Sequence, residues 1–552
     1  MPSRTHSPVA TGLEHLLYPS PLYYDFLTSP ERVREFYPVD YRDGAAAARS
    51  AAARAYPAER RFAITSIMKR QAQAIGASAS AAAPIAKFER KDALVVVAGQ
   101  QPGLFGGPLY TVYKALTCVH LARRVEEASG RPVVPVFWVA SDDHDFDEVR
   151  KTWITDGIGS DPVLLEYDAD GHPHASFSRI RLSAAIEPVL AKLEATLGPA
   201  PYAAELMEKL RDAYAPGRTW AEAFARFMAG VVGPLGMIVF DPADPEAKRL
   251  ALPVFEREIE LGGRTAAAAR DRGEALARRG YHAQIARAGN ELNLFWHGDA
   301  GREAVRVGEG GAFRAAVSGQ RWTRAELLEA IRARPEDASP GVLLRPLVED
   351  YLLPTAAYVG GPAEVAYWAQ VYALYPLFEM APPAIAPRAG ATLLEPKVAR
   401  TLNKFHLSWE SLSGDVEVVI KEALRAILPE RFRDVFEEER KKWSEGFHRI
   451  EGQVIAFDPS LKPAVVTAHG RVQREIETLE KKLLHVWKRR QEESVQQIRR
   501  ARAHLFPHGE LQERVASYVG FGSRHGAWLT ERLTDALQDP GAHELVSLGG
   551  SS

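Results

Sequence analysis

One cysteine, Cys118, is all that the 552 residues contain, so neither an intramolecular disulfide nor a multi-cysteine metal site can form within the chain. Any thiol chemistry then uses a thiol carried in by a substrate. Cys118 itself, among Leu116, Val119 and Leu121 on a predicted helix, reads as a small core residue. No apolar run approaches the roughly 20 residues that span a bilayer, and MPSRTHSPVATGLEHL at the N-terminus lacks the apolar centre of a secretory signal, which predicts a cytoplasmic protein without a membrane partner. Charge of one sign is not in excess either: 69 basic side chains face 71 acidic ones, and nothing advertises nucleic acid as a partner. Neither a Gly-Lys-Ser/Thr phosphate loop nor the spaced-glycine dinucleotide fingerprint is present.

What is present is length and a changing texture. At 552 residues the chain suggests three or four structural units. Residues 1–90 are Ala-rich and helical, broken at Pro57, and are expected to buttress another domain. VVVAG (95–99), PVVPVFWVA (132–140) and MIVFDP (237–242) are short, nearly continuous apolar runs, with YVGG (358–361) and PPAIAPR (382–388) as further strands; helices Tyr110–Ser129 and Ala363–Met380 lie between. Continuous apolarity implies strands buried on both faces, and the strand–helix alternation predicts a doubly wound parallel α/β sheet. Its parts are expected at 91–150, 236–244 and 341–400, with inserts at 151–235 and 245–340 that wall the crevice at the strand carboxyl ends; the second holds hairpins at ELNLFWHG and EAVRVGEGGAFRAAV. In 401–506, Trp443, Phe447, Ile450, Val454 and Phe457 step by four and three, as do Val472, Ile476, Leu479, Leu483 and Val486 beyond Asp458–Pro459. Such stripes predict an antiparallel helical hairpin with coiled-coil packing whose leftover apolar surface favours a homodimer. Residues 507–552 then return to the core.

Three loops follow predicted strands and carry polar groups that a turn does not require. In GQQPGLFGGPLYTVYK, Gly103, Gly106 and Gly107 permit positive φ and close backbone approach, so the loop suits phosphate or carboxylate, although an ordinary turn explains its composition as well. Gln100 and Gln101 tilt the reading toward function, because long amides at a strand end are costly to bury unpaired. In ASDDHDFDEVR, five acidic residues and His144 fall between Asp142 and Glu148. Their repulsion must be offset by a cation, by helix amides, or by a basic substrate group: magnesium or an ammonium for Asp142, Asp143 and Asp145, with His144 as acid/base or hydrogen-bond donor. Zinc is disfavoured, since no second histidine stands at ligand spacing, and no metal-binding residue is assigned. In PTAAYVGGPAEVAYWAQ, Gly360 and Gly361 enter a helix, Glu364 fits its dipole, and Tyr358 and Tyr367 frame a sugar or nucleotide pocket. Arg345 and Arg388 are either anion clamps or structural ion pairs.

Taken together, AGQQPGLFGGPLYTVYKAL, VPVFWVASDDHDFDEV, ELNLFW, LLRPLVEDYLLPTAAYVGGPAEVAYWAQ and the helical C-terminal third resemble the cysteine-adding enzymes of bacillithiol biosynthesis, the BshC family, over nearly the whole chain. The resemblance implies a Rossmann-like core with connecting-peptide inserts, similar in plan to class I aminoacyl-tRNA synthetases, and a dimerising coiled coil. The HIGH and KMSKS stretches of those synthetases have no counterpart here. The implied reaction joins cysteine to the amino group of glucosaminyl-malate, driven by ATP or another nucleotide. Catalytic roles then fall to His144, Asp143 and Lys114, the last as a charge stabiliser. Substrate or nucleotide binding falls to Gln100, Gln101, Gly103, Gly106, Gly107, Tyr110, Asp142, Asp145, Arg345, Tyr358, Gly360, Gly361, Glu364, Tyr367 and Arg388. Two other readings are a nucleotide-binding dimeric scaffold or sensor without turnover, and a nucleotidyltransferase with another acceptor.

Overall fold

Five of the short apolar runs form one parallel sheet in a computed structural model that describes residues 10–155, 161–168, 174–286, 291–427 and 430–549. The strands are β1 (Leu94–Gln100), β2 (Val133–Val139), β3 (Ile238–Phe240), β4 (Thr355–Gly360) and β5 (Ala384–Pro387), in the order β5-β4-β1-β2-β3. All neighbours run parallel, with Val97 of β1 opposite Val136 on one side and Tyr358 on the other. β1 lies at the centre, and its residues Leu94 to Gly99 are buried, as a strand covered by helices on both faces must be. The first three strands progress to one side and the fourth returns beside the first, so the strand order reverses between β1 and β4. In open α/β sheets the ligand crevice lies at such a reversal, beyond the carboxyl ends of the strands.

Helix α1 (Tyr110–Ser129) follows β1, presents twelve buried residues to the sheet and stops at Gly130, whose φ of 67° provides a left-handed end. Cys118 lies on its buried face with Sγ 3.1 Å from the Val96 carbonyl, and burial pushes its thiol pKa well up. Helices α2 (Pro245–Leu261), α3 (Arg345–Leu352) and α4 (Pro362–Val371) complete the elements that shape the crevice. Asp244 caps α2 by accepting from the Glu246 amide at 2.9 Å. The predicted helix over 363–380 is shorter in the structure: α4 ends at Val371 and a 3-10 turn at Tyr375–Phe378 holds Pro376 at its start.

Both inserts have structure of their own. The first pairs Lys151–Ile154 with Val163–Glu166 and adds three helices, the last at Trp220–Val232. The second builds a five-stranded antiparallel sheet in which Glu291–Gly298 lies between Ala338–Pro340 and Gly301–Val307. Residues 156–160 and 169–173 of the Gly/Asp-rich connection, and the first nine and last three residues of the terminal segments, lie outside the described residues. The N-terminal helices pack on the sheet layer; Tyr37 donates to the Val365 carbonyl at 3.0 Å and Tyr56 to that of Leu352 at 2.7 Å.

Past β5 the chain builds a second apolar cluster around Leu402, Ile420, Leu424, Ile498 and Leu505. From it rise α5 (Glu430–Phe457) and α6 (Lys462–Arg490), an antiparallel hairpin turned at Asp458, whose carboxylate accepts from the Ser460 amide at 2.9 Å. The apolar stripes divide: Phe447, Val454, Val472, Ile476 and Leu483 are half-buried, while Trp443, Ile450, Phe457, Leu479 and Val486 are exposed. Among the described residues no helix is long and apolar enough to cross a membrane.

The C-terminal segment is bound back to the sheet region. Gly390–Leu394 pairs in parallel with His543–Ser547, and Glu513 meets Arg388 at 2.5 Å while accepting from the Ala391 amide at 3.0 Å. Both side chains are buried, so neither charge has water to fall back on. Glu513→Ala is expected to destabilise the protein by about 3–5 kcal/mol, the cost of leaving a buried arginine uncompensated. Urea denaturation measures this, with Glu513→Gln losing less; an unchanged midpoint for Glu513→Ala would contradict it.

Candidate functional site

At the carboxyl edge of the sheet the turns after β1, β2 and β4 converge on one cavity of about 600 Å³. Gln100, Gln101, Tyr110 and Lys114 come from the first turn and α1, and Asp142, Asp143 and His144 from the second. Tyr358, Gly361, Glu364 and Tyr367 come from the third, with Arg345 and Arg388 beside them. Glycines 103, 106 and 107, Asp145 and Gly360 are not on its wall.

The three glycines of the first loop lie off this cavity, Gly103 on a neighbouring cleft with Gln101 and Tyr110. A Cβ on Gly103 would stand 2.7 Å from the Gly107 Cα, and one on Gly106, at φ 89°, would strike the Phe227 ring. The glycines serve a tight turn that the Trp220 indole fastens by donating to the Pro102 carbonyl at 2.5 Å. Asp145 is exposed at the start of the short helix Phe146–Val149, and Gly360 ends β4, where its carbonyl accepts from the Arg388 amide at 2.8 Å.

Lys114 joins two of the turns. Its buried ammonium donates to the Gly99 carbonyl at 2.9 Å and to Gln100 Oε1 at 2.8 Å, and it pairs with Glu364. Glu364 also accepts from Tyr358 OH at 2.7 Å and from the Gly361 amide at 2.8 Å. Burial lowers the lysine pKa against the pull of Glu364. Burial also acts to raise that of Glu364, but Lys114 and the two other donors outweigh it and hold the carboxyl below its usual range. All three ammonium hydrogens are engaged, so Lys114 fixes β1 to β4 rather than offering a donor to a reactant.

The acidic loop solves its repulsion with the protein's own groups. Asp142 receives Lys248, from α2, at 2.6 Å on both oxygens. Asp143 accepts from Gln101 Nε2 at 2.7 Å and from the His144 amide at 2.7 Å; the same Gln101 nitrogen reaches Glu148 at 3.1 Å. Asp147 pairs with Arg150 at 2.7 Å. Magnesium therefore fits poorly: Asp142 is engaged on both oxygens by a lysine, Asp145 is exposed and off the cavity wall, and no group of three or more His, Cys, Asp or Glu among the described residues is arranged to hold a metal. Of the two readings open for Arg345 and Arg388, anion clamp or structural ion pair, both side chains make the ion pair, Arg345 with Glu349 at 2.6 Å and Arg388 with Glu513. Arg345 nevertheless keeps Nη2 buried without a partner.

Sequence reasoning missed Lys248, Arg302, Arg514 and Phe295. Arg302 comes from the hairpin strand Gly301–Val307 of the second insert and is buried against the cavity, its guanidinium carbon 3.8 Å from the Phe295 ring centre. It donates to Ser339 Oγ at 2.8 Å, to the Pro340 carbonyl at 3.0 Å and to His144 Nδ1 at 2.8 Å. Its strand, GREAVRV, holds three charged residues among small and apolar ones, so no local pattern singled Arg302 out or showed which crevice it entered.

Beneath the acidic loop, Asp241 accepts from Ser141 Oγ and from the Ala243 amide at 2.9 Å. Burial pushes its pKa up to about 6. A raised carboxyl pKa means that the folded state binds the extra proton, so stability is greatest below the unfolded pKa near 3.8 and falls as pH rises through 6. Asp241→Asn keeps an acceptor oxygen and cannot ionise. Urea denaturation from pH 4 to 7 should show the parent losing up to about 3 kcal/mol relative to Asp241→Asn; parallel pH profiles would contradict the assignment.

Comparison with known proteins agrees with this architecture. Residues 12–389 match the family model described as the N-terminal Rossmann-like domain of bacillithiol biosynthesis BshC, and residues 391–548 that of its C-terminal coiled-coil domain. Among curated relatives, a protein of Salinibacter ruber is 34% identical over 530 residues, covering 96% of each chain. One of Koribacter versatilis is 33% identical over 528 residues, covering 95% of this chain and 97% of its own. A third, from Chlorobaculum tepidum, is 32% identical over 504 residues and 89% of both chains. All three bear the name "Putative cysteine ligase BshC". With both domains matched in order along one chain and a cavity at the strand reversal between them and the inserts, the protein belongs to the BshC family of bacillithiol biosynthesis.

Proposed function

We propose that this chain is a cytoplasmic ligase that forms an amide between the carboxyl group of L-cysteine and the amino group of glucosaminyl-malate, completing bacillithiol. The observation that carries the reading is the convergence of three polar turns on one cavity at the β1/β4 reversal in a member of this family. The lone, buried Cys118 is unsuited to thiol chemistry, which agrees with a thiol that arrives as substrate.

Asp143 and Glu148, tied by Gln101, face the cavity without a lysine or arginine partner among the described residues and offer a negative wall for an ammonium group. Tyr110 and Tyr367 supply flat apolar surface for a sugar or base. Amide formation from a carboxylate is uphill in water, and a nucleoside triphosphate, when bound, supplies the activation. The cavity suits one: its volume lies within the range of small-molecule and cofactor pockets, the orphaned Nη2 of Arg345 faces a ligand unpaired, and the half-exposed Arg514 has only a long surface pair, 3.6 Å to Glu510, to give up for phosphate. Around it, Lys114 and Glu364 hold the β1 and β4 turns at fixed separation, and Lys248 holds the acidic loop.

Purified protein incubated with glucosaminyl-malate, cysteine and ATP is expected to yield a thiol of bacillithiol mass. Absence of that product under conditions where a pathway extract makes it would overturn the proposal. Pyrophosphate release without cysteine would favour a nucleotidyltransferase with another acceptor.

The reading extends to assembly. Trp443, Ile450 and Phe457, and Leu479 and Val486, are exposed at seven-residue intervals along α5 and α6, an apolar seam left over after the hairpin has closed on itself. A second copy of the hairpin covers it. Light scattering should give twice the chain mass of 60.8 kDa, and Trp443→Glu with Leu479→Glu should give monomers of undiminished helicity; a monomeric parent protein would contradict the dimer.

A further inference from the structure

The contact between Arg302 and His144 restricts what the histidine can do. A guanidinium carries five N–H groups and no acceptor, so Nη1 at 2.8 Å from His144 Nδ1 is a favourable contact only if Nδ1 presents its lone pair. The proton of the neutral imidazole then resides on Nε2. Burial, with Arg302 next, lowers the histidine pKa and so keeps the ring neutral. The charged and titratable groups around it are Asp143, whose Oδ1 is 3.6 Å from Nδ1, Asp145 on the same loop, His174 at 5.9 Å between ring centres, and Arg302 itself; Phe295, at 6.0 Å, closes the apolar side.

Arg302 is unusual among the cavity's buried cations. On the cavity wall Lys114 has Glu364, Arg345 has Glu349 and Arg388 has Glu513, and behind it Lys248 has Asp142, whereas Arg302 makes no direct ion pair among the described residues and feels Asp143 and Asp142 only from farther off. Three of its five N–H groups go to Ser339, Pro340 and His144, and two remain. A buried charge that is hydrogen-bonded to neutral groups, stacked on a phenyl ring and open to a cavity on which His144 also lies is a preformed anion site.

We infer that Arg302 and His144 together bind the carboxylate of the amino-acid reactant, His144 as a fixed Nε2–H donor rather than a general base and Arg302 as both ligand contact and positioning residue for the imidazole. The identity of that reactant as cysteine rests on the proposed function; the anion site does not. The ammonium wall of Asp143 and Glu148 lies on the same acidic loop as His144, so an α-amino acid would meet complementary charge at both ends.

The experiment has two arms, both on the full-length protein. In the first, binding of L-cysteine and of its amide, cysteinamide, is measured by calorimetry, with L-malate and its diamide as a second pair. The parent should prefer cysteine over cysteinamide by about tenfold to a hundredfold, the worth of charge-assisted hydrogen bonds to a carboxylate. Arg302→Met should abolish that preference, and Arg302→Lys should restore part of it. In the second, histidine ring nitrogen-15 spectra, with His144→Gln to assign the signals, should show a pyridine-like Nδ1 and a protonated Nε2 in the parent and mixed tautomers in Arg302→Met. Equal binding of cysteine and cysteinamide by the parent, preference only for malate over its diamide, or a protonated Nδ1 in the parent would each overturn the inference; the last requires no variant to fold. Carboxylate selectivity without thiol formation would sink the ligase reading alone, and thiol formation with a protonated Nδ1 would sink this one alone.

Discussion

The buried pairing of Lys114 with Glu364 is the contact on which the rest of the site depends. It closes the gap between β1 and β4, the one place in the sheet where chain order reverses and helices leave in opposite directions. Parallel strands leave their last carbonyls and amides unpaired there, and Lys114 takes the Gly99 carbonyl while Glu364 takes the Gly361 amide. Removing either partner would strand a charge in a dry region, a loss of about 3–5 kcal/mol, and would free both turns to move. A reversal point that is otherwise a structural weakness thereby becomes a rigid floor.

The remaining walls follow the same pattern of charge held by charge. Lys248 reaches from α2 to Asp142, and Glu513 reaches from the C-terminal segment to Arg388, so the second insert and the end of the chain are both anchored through buried ions. These pairs are weak arguments for stability, since desolvation offsets much of their attraction. Their effect is on placement: each leaves one geometry in which neither ion is orphaned. Against that neutralised background Asp143 and Glu148 stand out as carboxylates without a direct lysine or arginine partner among the described residues, and Arg302 as a buried cation without a direct carboxylate.

The doubly wound sheet was legible because its strands are short apolar runs between helices, and two of the site turns were legible because Gln101, Asp143 and His144 have no reason to stand at strand ends in a purely structural turn; Glu364 in the third suits a helix start on structural grounds alone. Their convergence followed from the fold class. The roles did not follow. Gly103, Gly106 and Gly107 look alike in sequence whether they cradle an anion or admit Phe227, and only the packed turn distinguishes these. Arg345 and Arg388 stayed open between clamp and ion pair: Glu349 stands one helical turn from Arg345, but Glu513, the partner of Arg388, lies 125 positions away. Lys248 and Arg302 come from an insert whose path over the sheet is set by tertiary packing rather than by local pattern. The coiled-coil stripes were read correctly as apolar, yet two helices could cover only part of each, and the exposed half is a property of the packed hairpin.

Hydrogen–deuterium exchange on the full-length protein, with and without saturating cysteine, glucosaminyl-malate and ATP, tests the single-cavity arrangement most directly. The account predicts that amides in 99–114, 140–150, 301–304 and 358–364 gain protection together, because all four stretches supply walls or supports of one site. Protection confined to one of these stretches, or appearing instead along the coiled coil, would show that the turns do not act as one cavity and would contradict it.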